Sequence, residues 1–330
     1  MKHGELMTEA FPDVDFAAEV ETARRRIRPD IIRTPLEFSE ELSRRCGARI
    51  YLKWESEQTT GSFKLRGALN KIRTLTPEQK KKGVVSASTG NHGLGMSHAA
   101  GLEGVGLSLV LPESAAPEKI ERLRRTGAVL SPFGSSCEKA ESRAREDAAS
   151  SGRVFVSPYN DLEVIFGQGT IGLEILEDLA EAEDVVIPVG GGGLISGIGG
   201  CLKSHRPRIR VIGVEPINSA FMKASLEAGR LVEIEENPTL ADAVAGGLEP
   251  GTVTFPLCRK YVDEIITVGE GRLRESLKMI YETHGRKVEG AGALALAGLL
   301  ESPDFFRGRK VVLVVSGKNI SESSFEEIIG

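Results

Sequence analysis

Lys64 stands in the string Gly61-Ser62-Phe63-Lys64-Leu65-Arg66-Gly67-Ala68, after an aromatic residue and before a small-residue helix start. Burial lowers the pKa of an ammonium until the free amine can attack a carbonyl or take a proton. Two further strings lie downstream. Ser88-Thr89-Gly90-Asn91-His92-Gly93 follows the apolar Val84-Val85-Ser86-Ala87. Gly190-Gly191-Gly192-Gly193 follows Val185-Val186-Ile187-Pro188-Val189 and precedes Leu194-Ile195-Ser196-Gly197. Glycine admits positive φ and close backbone approach, so successive N–H groups can converge on an anion at a helix start. A plain strand–helix turn does not need four glycines, each of which loses much conformational freedom on folding. An amine, a polar turn and an anion cradle are together the parts that hold a phosphorylated aldehyde.

Other uses of these residues fit less well. A dinucleotide loop needs G-x-G-x-x-G, but Gly191-x-Gly193 is followed by Ser196. The nucleoside-triphosphate loop G-x-x-x-x-G-K-[ST] is absent, since Asn319 follows Gly317-Lys318. His92 and His98 lack the H-E-x-x-H spacing of a metal site and read as structural. A net charge of −5 and a pI near 5.8 show no electrostatic footprint for nucleic acid. The 4 cysteines, Cys46, Cys137, Cys201 and Cys258, form no C-x-x-C pair and read as free thiols in a reducing compartment. Met1 to Ala10 has no apolar core of a signal peptide, and no run of ~18 apolar residues exists to span a membrane. A cytoplasmic protein is expected.

The elements that must position these strings alternate. Strand patterns cover 84–87, 106–112, 128–133, 184–189, 210–215, 264–268 and 311–315, with helical patterns over 117–126 and 137–150. Val311-Val312-Leu313-Val314-Val315 is apolar on both faces, as a central parallel strand must be. The small, apolar segment 290–300 reads as a buried helix. Such alternation predicts a parallel, doubly wound α/β architecture. The turn 88–93 and the glycine run would then stand at carboxyl ends of strands, where open α/β folds bind ligands. By itself, the 88–93 turn also reads as an Asn-capped helix start.

These strings, with Thr34-Pro35-Leu36 and Ser316-Gly317-Lys318-Asn319 near the ends, resemble the fold type II family of pyridoxal-phosphate (PLP) enzymes. The resemblance is strongest to the threonine/serine dehydratase and serine racemase branch. It implies an α/β fold like the tryptophan synthase β chain, with two open parallel-sheet domains and the cofactor between them. A large domain would comprise residues 1–52 and 156–330, and a small one 53–155; the chain would pair as a homodimer. The resemblance also implies that Lys64 holds PLP as a Schiff base while Phe63 packs on its ring. Asn91 would bond the 3′-oxygen and Ser316 the ring nitrogen. Gly190, Gly191, Gly192, Gly193 and Leu194 would take the phosphate, and Ser88, Thr89, Gly90, Asn91 and His92 the substrate. A neutral serine at the ring nitrogen makes a weaker electron sink, which favours prompt loss of a β-substituent. Gly167-Gln168-Gly169-Thr170 and Val288-Glu289-Gly290-Ala291-Gly292-Ala293 are similar to further family landmarks, with Glu289 facing the site.

Three positions depart from the family pattern. Thr89 stands where racemases of the branch place a serine and many dehydratases an alanine. Ala241-Asp242-Ala243 replaces Ala-Asp-Gly, adding a methyl near the expected ring. Glu215 matches one ligand of the divalent-cation site of some relatives, but Phe221 occupies the position of the aspartate. The expected reaction is deamination of a β-hydroxy amino acid, L-threonine or L-serine first, with Lys64 and Thr89 as the catalytic residues. The alternatives are an amino-acid racemase and a dehydratase of a bulkier or acidic β-hydroxy amino acid. From other classes come a phosphate-binding oxidoreductase and a catalytically silent metabolite-binding relative. The chain ends soon after Ser316, so no C-terminal regulatory domain is expected.

Overall fold

The computed structural model describes residues 14–330. Among them ten strands form two sheets. In chain order they are β1 (Leu36–Phe38), β2 (Arg49–Lys53), β3 (Val84–Ala87), β4 (Leu107–Leu111), β5 (Val129–Pro132), β6 (Val154–Phe155), β7 (Asp184–Pro188), β8 (Arg210–Pro216), β9 (Glu264–Val268) and β10 (Lys310–Val314). The larger sheet has the order β1-β2-β10-β7-β8-β9, the smaller β5-β4-β3-β6. Every pairing is parallel except β1 with β2. The fold is therefore the expected α/β architecture with parallel sheets.

Every residue of β7 is buried, and β10 is buried from Val311 onward. Successive side chains of a strand point to opposite faces. Val311 and Leu313 accordingly join a core with Leu294 and Leu296 of the Gly290–Glu301 helix. Val312 and Val314 join a second core with Leu194, Ile195 and Ile198 of the Gly193–His205 helix. Burying each such Val, Leu or Ile contributes roughly 1.5–3 kcal/mol. In the smaller sheet, Val84, Leu107 and Leu109 pack with Leu65, Leu69 and Ile72 of the Lys64–Thr74 helix and with Met96 and Ala99 of the Asn91–Glu103 helix.

Close backbone approach sets the Lys64–Thr74 helix against the Leu162–Asp178 helix. A Cβ on Gly67 would stand 2.6 Å from Val164 O, and Gly67 N donates to Gln168 Oε1 at 3.1 Å. The Gly167-Gln168-Gly169-Thr170 landmark is thus the seam on which the lysine helix rests. Among the described residues, no helix is long and apolar enough to cross a membrane. All four cysteines are free; Cys137 is exposed and the others are buried.

Candidate active site

The segments after β3, β7 and β10 gather around Lys64, the first residue of its helix. The chain before it is pinned to the chain after β10. Phe63 N donates to Ser316 O at 3.1 Å, Lys318 N donates to Gly61 O at 2.9 Å, and Ser62 bridges Gly317. Lys64 Nζ donates to Pro158 O at 3.0 Å and stands 5.1 Å from the centroid of Phe63. Part of the Lys64 surface stays open, yet burial around the ammonium pulls its pKa down to about 8, against the attraction of Glu289. His92 is buried. Desolvation first, and then the Lys64 charge, lower its pKa to about 3, against its bond to Val156 O. His92 Nε2 donates to that carbonyl at 3.3 Å, and its Nδ1 has no partner. His92 is therefore a neutral wall of the lysine site.

The glycine run makes the turn from β7 into the Gly193–His205 helix, and Gly192 takes φ +83° there. The run lies bare because its neighbours leave no room. A Cβ on Gly191 would stand 2.5 Å from Tyr159 Cδ1, and one on Gly190 2.6 Å from Val244 O. Thr254 Oγ1 donates to Gly191 O at 2.7 Å. Amides in the first turn of a helix have no intrahelical acceptor, so those of Gly193 and Leu194 are available to a ligand. The Leu194 side chain itself is buried in the core.

After β3, Ser88, Thr89 and Gly90 are partly exposed, and Gly90 N donates to Ser88 Oγ at 3.2 Å. Gly90, not Asn91, is the N-cap of the helix, so the capping alternative does not hold for the Asn91 side chain. Asn91 Nδ2 instead donates to Glu289 Oε1 at 2.6 Å. Glu289 is buried, and burial raises its acid to about 8, opposed chiefly by the bond from Asn91. Ser316 is buried at the end of β10 and donates to Ala291 O at 3.2 Å. Contacts thus link Lys64, Phe63, Asn91, Glu289 and Ser316, with Pro158 and Tyr159 joining the lysine to the glycine run.

Glu215 has a different task. Its Oε1 accepts from Met222 N at 3.0 Å and its Oε2 from Lys223 N at 2.8 Å, which ties β8 to the Phe221–Ala228 helix. Burial raises it to about 7 against those two amides. Each Glu215 oxygen thus accepts one backbone amide, and a buried phenyl ring at Phe221 stands where the cation site of some relatives has its aspartate. Among the described residues, no group of 3 or more His, Cys, Asp or Glu is placed to hold a metal. Ala243 is exposed, in a short turn whose Asp242 pairs with Lys119 at 2.8 Å.

Two features escaped the sequence reading. Ser157-Pro158-Tyr159-Asn160 lies between the lysine and the glycine run: Pro158 O receives Lys64, Tyr159 covers Gly191, and Glu249 N donates to the Tyr159 hydroxyl at 3.0 Å. The second is a buried quartet behind Lys64. Arg66 grips Glu55 (2.8 Å) and Glu174 (2.7 Å), while Lys53 bonds Glu174 (2.6 Å) and Thr34 O (2.7 Å). Only Arg66, inside the Gly61–Ala68 string, carries a sequence signal.

The family model described as pyridoxal-phosphate dependent enzyme matches residues 27–317. The chain belongs to the pyridoxal-phosphate dependent enzyme family. It is 44% identical to the L-threonine ammonia-lyase of Thermotoga maritima over 94% of this chain and 77% of that one. Among solved structures, the processed form of threonine deaminase isoform 2 from Solanum lycopersicum superposes with a TM-score of 0.90 at 34% identity, covering 95% of this chain and 86% of that chain. Maize serine racemase superposes with a TM-score of 0.90 at 33% identity, over 94% and 95%.

The cleft of this family member fits its cofactor. PLP brings an aldehyde, a dianionic phosphate and a polar aromatic ring. The structure offers an amine whose pKa has been lowered toward neutrality, a glycine turn that a Cβ would obstruct, and a phenyl group beside the amine.

Proposed function

We propose that this chain is a PLP-dependent lyase that deaminates a β-hydroxy amino acid, with L-threonine and L-serine as the first substrates and a 2-oxo acid and ammonia as products. The observation that carries this reading is the lowered pKa of Lys64, an amine held by Pro158 O in a cleft shared with two ligand-binding turns. The names of the relatives in Thermotoga maritima and Solanum lycopersicum support the substrate class.

PLP, when bound, supplies the aldehyde that takes up the substrate amine and the electron sink for the Cα–H bond pair. The rest falls to the residues of the chain. The amides of Gly190, Gly191, Gly192, Gly193 and Leu194 hold the phosphate. With PLP bound, Phe63 would pack on the ring, Asn91 would bond its 3′-oxygen, and Ser316 would bond its nitrogen in place of its present donation to Ala291 O. The Ser88–His92 turn binds the substrate carboxylate through backbone N–H groups. Lys64 Nζ takes the Cα proton as general base, which its pKa near 8 permits at modest alkalinity. The β C–O bond then breaks and the hydroxyl leaves as water, its added proton matched by the one that Lys64 took from Cα. The enamine released adds water and yields ammonia and the 2-oxo acid. Neutral His92 adds no second positive charge beside the amine.

Three further expectations belong to the same reading. Residues 53–155 form the small domain and 1–52 with 156–330 the large one, as strands β3 to β6 inside the first range support. The chain works as a homodimer in the cytoplasm.

A second reading is amino-acid racemisation. Thr89 favours it, because it keeps a hydroxyl in the partly exposed 88–93 turn at the position where the resemblance gives racemases a serine, and the fold is shared with maize serine racemase. Proton NMR of the PLP-loaded protein in heavy water, with L-serine and L-threonine separately, tests both. A 2-oxo acid that accumulates, and that is lost with Lys64→Ala, supports the lyase. Deuterium entering Cα with both enantiomers present supports the racemase, and Thr89→Ala then removes racemisation while sparing elimination. No turnover of either substrate counts against these two amino acids and turns the search to a bulkier or acidic one.

A further inference from the structure

The two ends of an asparagine side-chain amide differ only in which atom donates, so what Asn91 can do depends on which way it points. Groups of fixed polarity decide this, because a guanidinium only donates and a backbone carbonyl only accepts. Arg122 Nη1 donates to Asn319 Oδ1 at 3.2 Å, and Asn319 Nδ2 donates to Thr60 O at 2.8 Å. Those two contacts fix Asn319. Its Nδ2 also donates to Asn91 Oδ1 at 2.6 Å, so Asn91 presents oxygen on that side and nitrogen to Glu289 Oε1, 2.6 Å away. A flipped Asn91 would set its N–H₂ group against that of Asn319. With one Nδ2 hydrogen engaged by Glu289, one remains. The relay also crosses the fold. Asn91 and Arg122 stand on helices beside the smaller sheet, while Asn319 and Glu289 stand on segments beside the larger.

We infer that Glu289 and Asn319 are positioning residues that hold the Asn91 amide in one orientation, leaving a single N–H to donate to an oxygen on the ring of the bound cofactor. The inference rests on the PLP reading proposed above. With its acid raised to about 8 by burial, Glu289 is mostly uncharged at neutral pH and accepts from Asn91 without placing a full negative charge beside Gly317.

The test is titration of the apoprotein with PLP, read as the dissociation constant and as the absorbance maximum of the bound cofactor. Glu289→Leu and Asn319→Ala are each expected to weaken binding about tenfold, the loss of one hydrogen bond, and to shift the absorbance as Asn91→Ala does. Glu289→Gln keeps an accepting oxygen and should retain both signals. In the Asn91→Ala background either substitution should add less than about twofold. A tenfold loss that persists in that background overturns the inference, as does Glu289→Gln behaving like Glu289→Leu. Thermal melting reports whether each variant is folded; if Glu289→Leu is not, Asn319→Ala decides alone. Wild-type protein that binds no PLP overturns the underlying reading as well, whereas wild-type binding with unaltered variants overturns this inference alone.

Discussion

Replacing Arg66 by methionine should destabilise the protein strongly, although Arg66 touches no ligand. The side chain has no exposed surface and bonds Glu55 through Nε and Nη2, Glu174 through Nη1 and Nη2, and Thr170 through Nη1. The quartet is neutral, with Arg66 and Lys53 against Glu55 and Glu174. Burial alone would raise Glu174, but Arg66 and Lys53 reverse this and hold it below the ordinary carboxylate range. Methionine fills most of the volume but leaves one negative charge uncompensated and Glu55 with only the hydroxyl of Thr34, at 2.5 Å. Removing one partner of a buried pair costs about 3–5 kcal/mol. At roughly 2–4 °C per kcal/mol for chains somewhat shorter than this one, the melting temperature should fall by roughly 10 °C. Adding Glu55→Gln restores neutrality, leaving Lys53 with Glu174, and should recover about half of the loss. Thermal and urea melts of wild type, Arg66→Met, Glu55→Gln and the double variant close the cycle. Two results would refute the charge argument: Arg66→Met within about 1 kcal/mol of wild type, or a double variant less stable than the two single losses combined.

Three further outcomes are expected. Burial raises the Glu289 acid to about 8, so the folded state holds a proton that the unfolded state gives up from about pH 4.5 upward. Wild type should therefore lose stability relative to Glu289→Gln as pH rises from about 4.5 to about 8 and run parallel above that, as urea melts across the range would show. Gly191→Ala would place a Cβ 2.5 Å from the Tyr159 ring and should lose about 1–3 kcal/mol together with PLP affinity. Gly101→Ala, on an exposed helix face with nothing within 4 Å, should be neutral or gain up to about 1 kcal/mol in the same melts.

What the sequence made legible was what a ligand-binding turn requires of contiguous residues. The glycine run and the 88–93 turn are local strings because each must present several consecutive amides, and each follows a largely apolar strand buried along nearly its whole length. Strand β2 was missed for the opposite reason. Arg49-Ile50-Tyr51-Leu52-Lys53 is closed at both ends by charge, and the last residue is buried only because Glu174, 121 positions away, neutralises it. Strands β1 and β6, at 3 and 2 residues, are too short to show a period. The same separation hid the second half of the site. Pro158 lies 94 residues from Lys64 and Glu174 108 from Arg66; Glu289, nominated by the family resemblance, lies 198 from Asn91, a partner the sequence did not reveal. In isolation each of these is an unremarkable proline or glutamate, and no local pattern distinguishes a carboxyl that orients an amide from one that faces solvent. Asn91 shows the limit directly. Its position in the string fits a helix cap as well as a ligand contact; Gly90 takes the cap, and the direction of the Asn91 amide is set by Asn319, itself held by a backbone carbonyl at Thr60 and a guanidinium at Arg122. A residue type and its spacing can therefore nominate a donor, but its direction is a property of groups that only the fold brings together.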